Sequence, residues 1–171
     1  QDVEVSEVSL PSFKHCLPVY YILSSAEASS NLARYDSIRY GPVFSENNDL
    51  LETYLRNREK GFGKEVKRRI LLGTYVLSEG YFDAYYKKAQ RIRSLLKFEF
   101  ENIMSTVDVL IGPTTPSTAF PIGDRNDDPL RMYMSDLYTV PANIIGCPAI
   151  SFPVGYLDKK PLGLQIMGTN L

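Results

Sequence analysis

The stretch Gly61–Gln90, GFGKEVKRRILLGTYVLSEGYFDAYYKKAQ, carries two helical periodicities separated by a break. Its first part predicts a helix over 64–77. At about 100° per residue, Val66, Ile70, Leu72, Gly73, Val76 and Leu77 fall on one continuous arc that should be buried. Arg69 stands in the middle of that arc, whereas Lys64, Lys67 and Arg68 fall outside it, near Leu71 and Tyr75. Ser78-Glu79-Gly80 is the break. A long amphipathic helix follows from about Tyr81 to Met104, with Phe82, Tyr85, Ala89, Ile92, Leu96 and Ile103 at three- or four-residue intervals or multiples of them. Such a stripe is that of a helix covering a sheet.

Arg69 sets the chemical question. A guanidinium keeps its proton and is costly to desolvate, so on an apolar face it requires a carboxylate. Glu65, four residues earlier on the same arc, is the ordinary i,i+4 partner. The carboxylate of a ligand is the other candidate.

Outward from this segment, Val3–Val8 (VEVSEV) alternates as a half-buried strand does, and Pro11 closes it. Leu17 to Ala33 reads as a helix with Pro18 early in it. The small residues of AEASSNLA in its second half allow another backbone to come close. Arg34–Gly41 is irregular, and Ser45–Leu55 is polar and tolerant of helix. On the other side, Asp108–Gly112 (DVLIG) followed by Pro113 predicts a strand buried on both faces, and TTPSTAFPIGD a Pro- and Thr-rich loop that could line a site. Asp127 or Asp128 caps a helix beginning at Pro129 and running to about Tyr138, with Leu130, Tyr133, Met134 and Leu137 as its buried stripe and Asp136 beside it. Val140–Gly146 is short and helical. Ala149–Gly155 and Leu162–Gly168 are strands joined by a turn around Asp158-Lys159-Lys160-Pro161. The alternation gives an α/β class with a mixed β-sheet covered by helices.

With 171 residues, 44% of them hydrophobic and 12% aromatic, the chain can bury one sizeable core. A net charge of −1 gives no general attraction for nucleic acid. Cys16 and Cys147 have neither metal nor disulfide spacing, no apolar run is long enough to cross a bilayer, and no leader pattern opens the chain. The start at Gln1-Asp2 and the close on GLQIMGTNL are those expected of a piece of a longer protein.

No nucleophile elbow, P-loop, dinucleotide fingerprint or zinc motif is present. His15 beside Cys16 invites a Cys-His dyad, but sequence neighbours rarely face each other productively. Gly61-Phe62-Gly63 is a turn, and Tyr81, Tyr85 and Tyr86 read as core and rim packing. A pocket for a free α-amino acid needs a cation for the carboxylate and an anion for the ammonium, and Arg69 and Asp136 are the candidates.

YYILSSAEASSNLARYDSIRYG, the Gly61–Gln90 stretch, DVLIGPTTPSTAF, DDPLRMYMSDLYTVPANIIGCPAISFPVG and PLGLQIMG, in this order, closely resemble the A-subunit family of glutamyl-tRNA(Gln)/aspartyl-tRNA(Asn) amidotransferases, a branch of the amidase signature family. The resemblance runs over essentially the whole chain. It implies that residues 1–171 are the C-terminal portion of a single amidase domain, the last third of a full subunit. It further implies a glutaminase that supplies ammonia for converting Glu-tRNA(Gln) to Gln-tRNA(Gln), or Asp-tRNA(Asn) to Asn-tRNA(Asn), in translation, a carbon-nitrogen ligase reaction of a heterotrimer. The Ser-cisSer-Lys catalytic triad would lie upstream, so no residue here is catalytic. Arg69 matches the arginine that grips the glutamine α-carboxylate, Asp136 the aspartate that holds its α-ammonium, and Tyr20 a tyrosine lining the same pocket.

No cofactor or metal is expected in this chain, ATP and Mg being held by the partner B subunit. The implied partners are the B and C subunits, glutamine and, through the complex, the mischarged tRNA, with no membrane. The implied compartment is the bacterial cytoplasm, or a mitochondrion or plastid. A stand-alone amidase and a non-catalytic partner-binding remnant are the alternatives.

Overall fold

The structure is a computed structural model describing residues 3–44, 49–124 and 128–169. It divides into two compact units, Gln1–Tyr20 with Gln90–Leu171, and Tyr21–Ala89. Ser45–Asn48 and Asp127, part of the predicted polar stretch and one of the two candidate caps, lie outside the described residues, as do both chain ends.

The 21–89 unit is helical. A 3-10 turn at Pro11–His15 leads into helix α1, Cys16–Asn31, whose second half belongs here and continues as a 3-10 turn over Leu32–Arg34. Asp49 starts α2, Leu50–Gly61, by accepting the Leu51 N–H at 2.9 Å. In its last turns Arg58 donates to the carbonyls of Leu32 and Tyr35 at 3.3 and 3.0 Å and lies 4.9 Å over the Phe62 ring. That guanidinium caps carbonyls where the helix runs out, joining the Tyr35 N–H, which donates to Leu32 O at 3.2 Å. Helix α3, Lys64–Leu77, matches the predicted bounds. Its apolar arc is graded: Gly73 and Val76 are buried, Val66, Ile70 and Leu77 half-buried, and Leu72 exposed. The small residues of α1 do admit another backbone, because α3 meets Ser25 at Gly73. The predicted long helix opens with a π turn, Phe82–Lys87, where the rings of Tyr75, Tyr81 and Tyr85 cluster with centroids 4.3 to 6.1 Å apart and Phe82 stacks on Tyr86 at 5.1 Å. The Tyr75, Tyr81 and Tyr85 rings stay partly exposed, so they pack on one another rather than into a core.

The other unit holds α4, Lys88–Met104, with Leu96, Phe100 and Met104 buried, and a sheet of β1 (Leu110–Pro113), β2 (Ala149–Leu157) and β3 (Lys160–Met167) in the order β1-β3-β2. Sheet and helices accord with the expected α/β class, and the pairing among the described residues is antiparallel throughout. Asp158 and Lys159, with φ of 50° and 63°, turn the β2–β3 hairpin in the geometry that suits strand twist. Gln165 and Met167 on one face of β3 are buried, whereas Ile111, Ile150 and Phe152 on the other face are exposed. β1 is therefore not buried on both faces as predicted: Ile111, on the outer face, is 52% exposed.

Val3–Val8 is not a strand. Its alternation is a capacity to pair, and no described strand pairs with it, so Val3 and Val5 remain exposed. Asp128 caps α5, Pro129–Tyr133, by accepting the Leu130 and Arg131 N–H groups at 3.0 and 3.2 Å. The helix then tightens to a 3-10 turn, Met134–Asp136, short of the predicted end at Tyr138. The expected stripe is only partly covered, with Leu130 and Met134 exposed and Tyr133 and Leu137 half-buried. Helix α6, Val140–Ile145, is buried at five of its six residues and ends at Gly146, whose φ of 81° suits glycine.

Candidate functional site

Arg69 lies in the second turn of α3, and its Nε donates to Glu65 Oε1 at 3.0 Å, the i,i+4 pair predicted from spacing. Arg68 Nη1 donates to the other oxygen of the same carboxylate. Two guanidinium groups on one carboxylate make a triad with a net positive charge. The Arg69 side chain keeps 29% of its surface exposed against 49% for Arg68, so it is sheltered rather than fully buried as the apolar arc implied.

The Arg69 guanidinium lies 5.2 Å from the centroid of the Tyr21 ring, a cation-π contact. Glu65 holds its Nε edge and Tyr21 its face, so the planar fork is oriented before any ligand arrives. Such a fork suits bidentate recognition of a carboxylate. Arg69 and Tyr21 belong to the 21–89 unit.

Tyr20 and Asp136 belong to the other unit. Tyr20 is half-buried on α1. Asp136 is exposed at the end of the 3-10 turn, and its main-chain carbonyl accepts from both Thr139 N (3.1 Å) and Thr139 Oγ1 (3.2 Å). The carbonyl of Tyr138, two residues on, accepts from Gln165 Nε2 at 2.8 Å. These bonds tie down the main chain at Asp136 and two residues beyond it.

Cys16 is fully buried, and burial first, with the nearby Glu99 carboxylate adding to it, pushes its thiol up to about 12, so it is not a thiolate near neutral pH. His15 beside it is exposed at the end of the 3-10 turn. The pair has no character of a nucleophile and base. Because the folded state binds the thiol proton more tightly, the stability this gives is complete below about 9 and is lost as pH rises toward about 12. Iodoacetamide at pH 8 is expected to modify Cys16 only in step with unfolding, followed by peptide mass mapping; rapid modification of the native protein would contradict a buried neutral thiol. Among the described residues no group of three His, Cys, Asp or Glu could hold a metal ion, and no helix is long and apolar enough to cross a membrane.

The profile of the amidase family matches residues 1–171. The chain belongs to the amidase family. The A subunit of the glutamyl-tRNA(Gln) amidotransferase of Caldanaerobacter subterraneus subsp. tengcongensis is 56% identical over 167 residues, 98% of this chain and 34% of the relative. The crystal structure of the A subunit of the Thermotoga maritima glutamyl-tRNA(Gln) amidotransferase superposes with a TM-score of 0.65 at 38% identity, over 95% of this chain and 30% of that one. A crystal structure of an amidase superposes with a TM-score of 0.69 at 26% identity, over 97% of this chain and 34% of that one. This amidase chain spans about a third of the length of the curated relatives it matches.

Two residues around the candidate site were not legible in the amidase sequence by pattern. Tyr21 is one of two adjacent tyrosines, and only the helical phase relative to Arg69 distinguishes it from Tyr20. Gln165 reads as a polar interruption of a strand.

Proposed function

We propose that residues 1–171 are the C-terminal portion of a single amidase domain, in the glutamine-hydrolysing subunit of an aminoacyl-tRNA amidotransferase. The supporting observation is the gradient of identity. Over nearly all of this chain it is 56% to a relative of that name and 26% to a crystallised amidase of like fold. In this reading Arg69 takes the α-carboxylate of glutamine, Asp136 its α-ammonium, and Tyr20 lines the pocket.

Glu65 and Tyr21 then act by holding the Arg69 fork, so that less order has to be imposed when the ligand binds. The triad upstream would supply the nucleophile: a serine Oγ bonds to the side-chain amide carbon, the C–N bond breaks with a proton passing to the departing ammonia, and water hydrolyses the ester to glutamate. The ammonia would serve a B subunit that binds ATP and Mg and amidates Glu-tRNA(Gln) or Asp-tRNA(Asn), with a C subunit completing a cytoplasmic heterotrimer. An α-amino acid pocket of this kind discriminates against amides lacking either charge, because its own charged groups would be left desolvated and unmatched.

The complete protein, purified with its partner subunits, is expected to convert mischarged glutamyl-tRNA to glutaminyl-tRNA with either glutamine or ammonia as nitrogen source. Hydrolysis of simple amides by a partnerless protein, with no tRNA product, would favour a stand-alone amidase. Absence of hydrolysis in the assembled complex would leave a non-catalytic remnant.

A further inference from the structure

Gln165 occupies the middle of β3, paired in register with Gly112 of β1 on one side and Ser151 of β2 on the other. It is 5% exposed, on the same face as buried Met167. An apolar residue would fill this place without the cost of desolvating a primary amide, so the amide has to be accounted for by what it bonds. Its Nε2 donates to the carbonyl of Tyr138 at 2.8 Å.

That bond fastens a segment with little hold on itself. The turn carrying Asp136 is three residues of 3-10 helix, and its closing bonds are Leu137 N to Met134 O at 3.4 Å and the two Thr139 donors on Asp136 O. At the far end of α6, Arg93 Nε donates to Ile144 O at 2.8 Å. One side-chain donor from the central strand and one from α4 therefore grip carbonyls flanking and ending α6. The strand-side grip falls two residues from Asp136.

We propose that Gln165 is a positioning residue for Asp136, tying the turn to the sheet so that the carboxylate is held where a ligand ammonium would meet it. This rests on the assignment of Asp136 given above. Displacement of a recognising charge by about 1 Å is enough to lose most of what it contributes.

The test uses the complete protein in its complex and compares kcat/KM for glutamine with that for glutaramate, which is glutamine without its α-amino group. Asp136→Asn should abolish the preference for glutamine. Gln165→Leu, and Gln165→Met as a near-isosteric change without a donor that carries the test should the Gln165→Leu protein fail to fold, should each reduce that preference about tenfold. Glutaramate turnover, which makes no use of Asp136, should change far less. Equal losses with both substrates, or an unaltered preference in both variants, would make Gln165 a core residue only. If Asp136→Asn itself left the preference intact, the assignment of Asp136 would fall instead. A collapse with Asp136→Asn alone would overturn only the role of Gln165.

Discussion

Arg69→Ala, in the complete protein bound to its partner subunits, is expected to raise the KM for glutamine about a hundredfold while the rate supported by added ammonia stays within about twofold of the parent. The size follows from the kind of contact. A charge-assisted, two-pronged grip on a carboxylate in a sheltered position is worth about 3 kcal/mol, and about 1.4 kcal/mol is a factor of ten. The selectivity follows from where the side chain acts. Ammonia enters after the amide has been cleaved and needs neither charged end of glutamine. Arg69→Lys should fall between, because a lysine keeps the charge but loses the fork and the face that rests on Tyr21. Tyr21→Leu should raise the glutamine KM modestly, since a partly exposed cation-π contact is worth about 0.5–1 kcal/mol. As a control, 4-aminobutanamide, which lacks the carboxylate, should be a poor substrate for the parent and no poorer for Arg69→Ala. Equal loss of glutamine- and ammonia-supported activity would show instead that Arg69, through Glu65, holds α3 in its fold.

The helices were the most legible part of the sequence, and α3 shows why. Its periodicity, its Glu65–Arg69 spacing and its breaks at Gly63 and Ser78 are local properties, and the structure has the same bounds. The short hairpin was legible for the same reason, since Asp158 and Lys159 mark its turn whatever surrounds them. Val3–Val8 shows what pattern does not contain. A ladder needs a second strand, and the alternation of one segment says nothing of whether another lies beside it. The exposed Ile111 of β1 and the bare stripe of α5 are of the same kind, because burial belongs to the pair of surfaces and not to the residue. At the candidate site the charged residues stood out by their type. Tyr21 and Gln165 did not, since an aromatic in a helix and an amide in a strand are common, and only their distances to Arg69 and Tyr138 give them a role.

Gly73→Ala is expected to destabilise the protein by about 3 kcal/mol or more, against the ordinary rule that alanine in place of a mid-helix glycine stabilises by about 0.5–1 kcal/mol. A Cβ at this position would stand 1.9 Å from the Ser25 carbonyl oxygen, 2.6 Å from its carbonyl carbon and 2.7 Å from Ser29 Cβ. The first two are main-chain atoms of α1, so no rotamer change can relieve the overlap. The helices would have to part, and the small residues that let them approach would be left around a gap. Both helices are committed at this crossing, with Ser25 and Val76 almost wholly buried. Leu71→Ala on the same helix, 72% exposed, is the control and should change stability by about 0.5 kcal/mol at most. Arg69 lies one turn before Gly73, so moving α3 also displaces the guanidinium from Tyr21. A Gly73→Ala protein that still folds should therefore need more glutamine while using ammonia normally. Denaturant unfolding of the three proteins gives the stability order. A Gly73→Ala variant as stable as the parent would mean that α1 and α3 do not cross backbone to backbone.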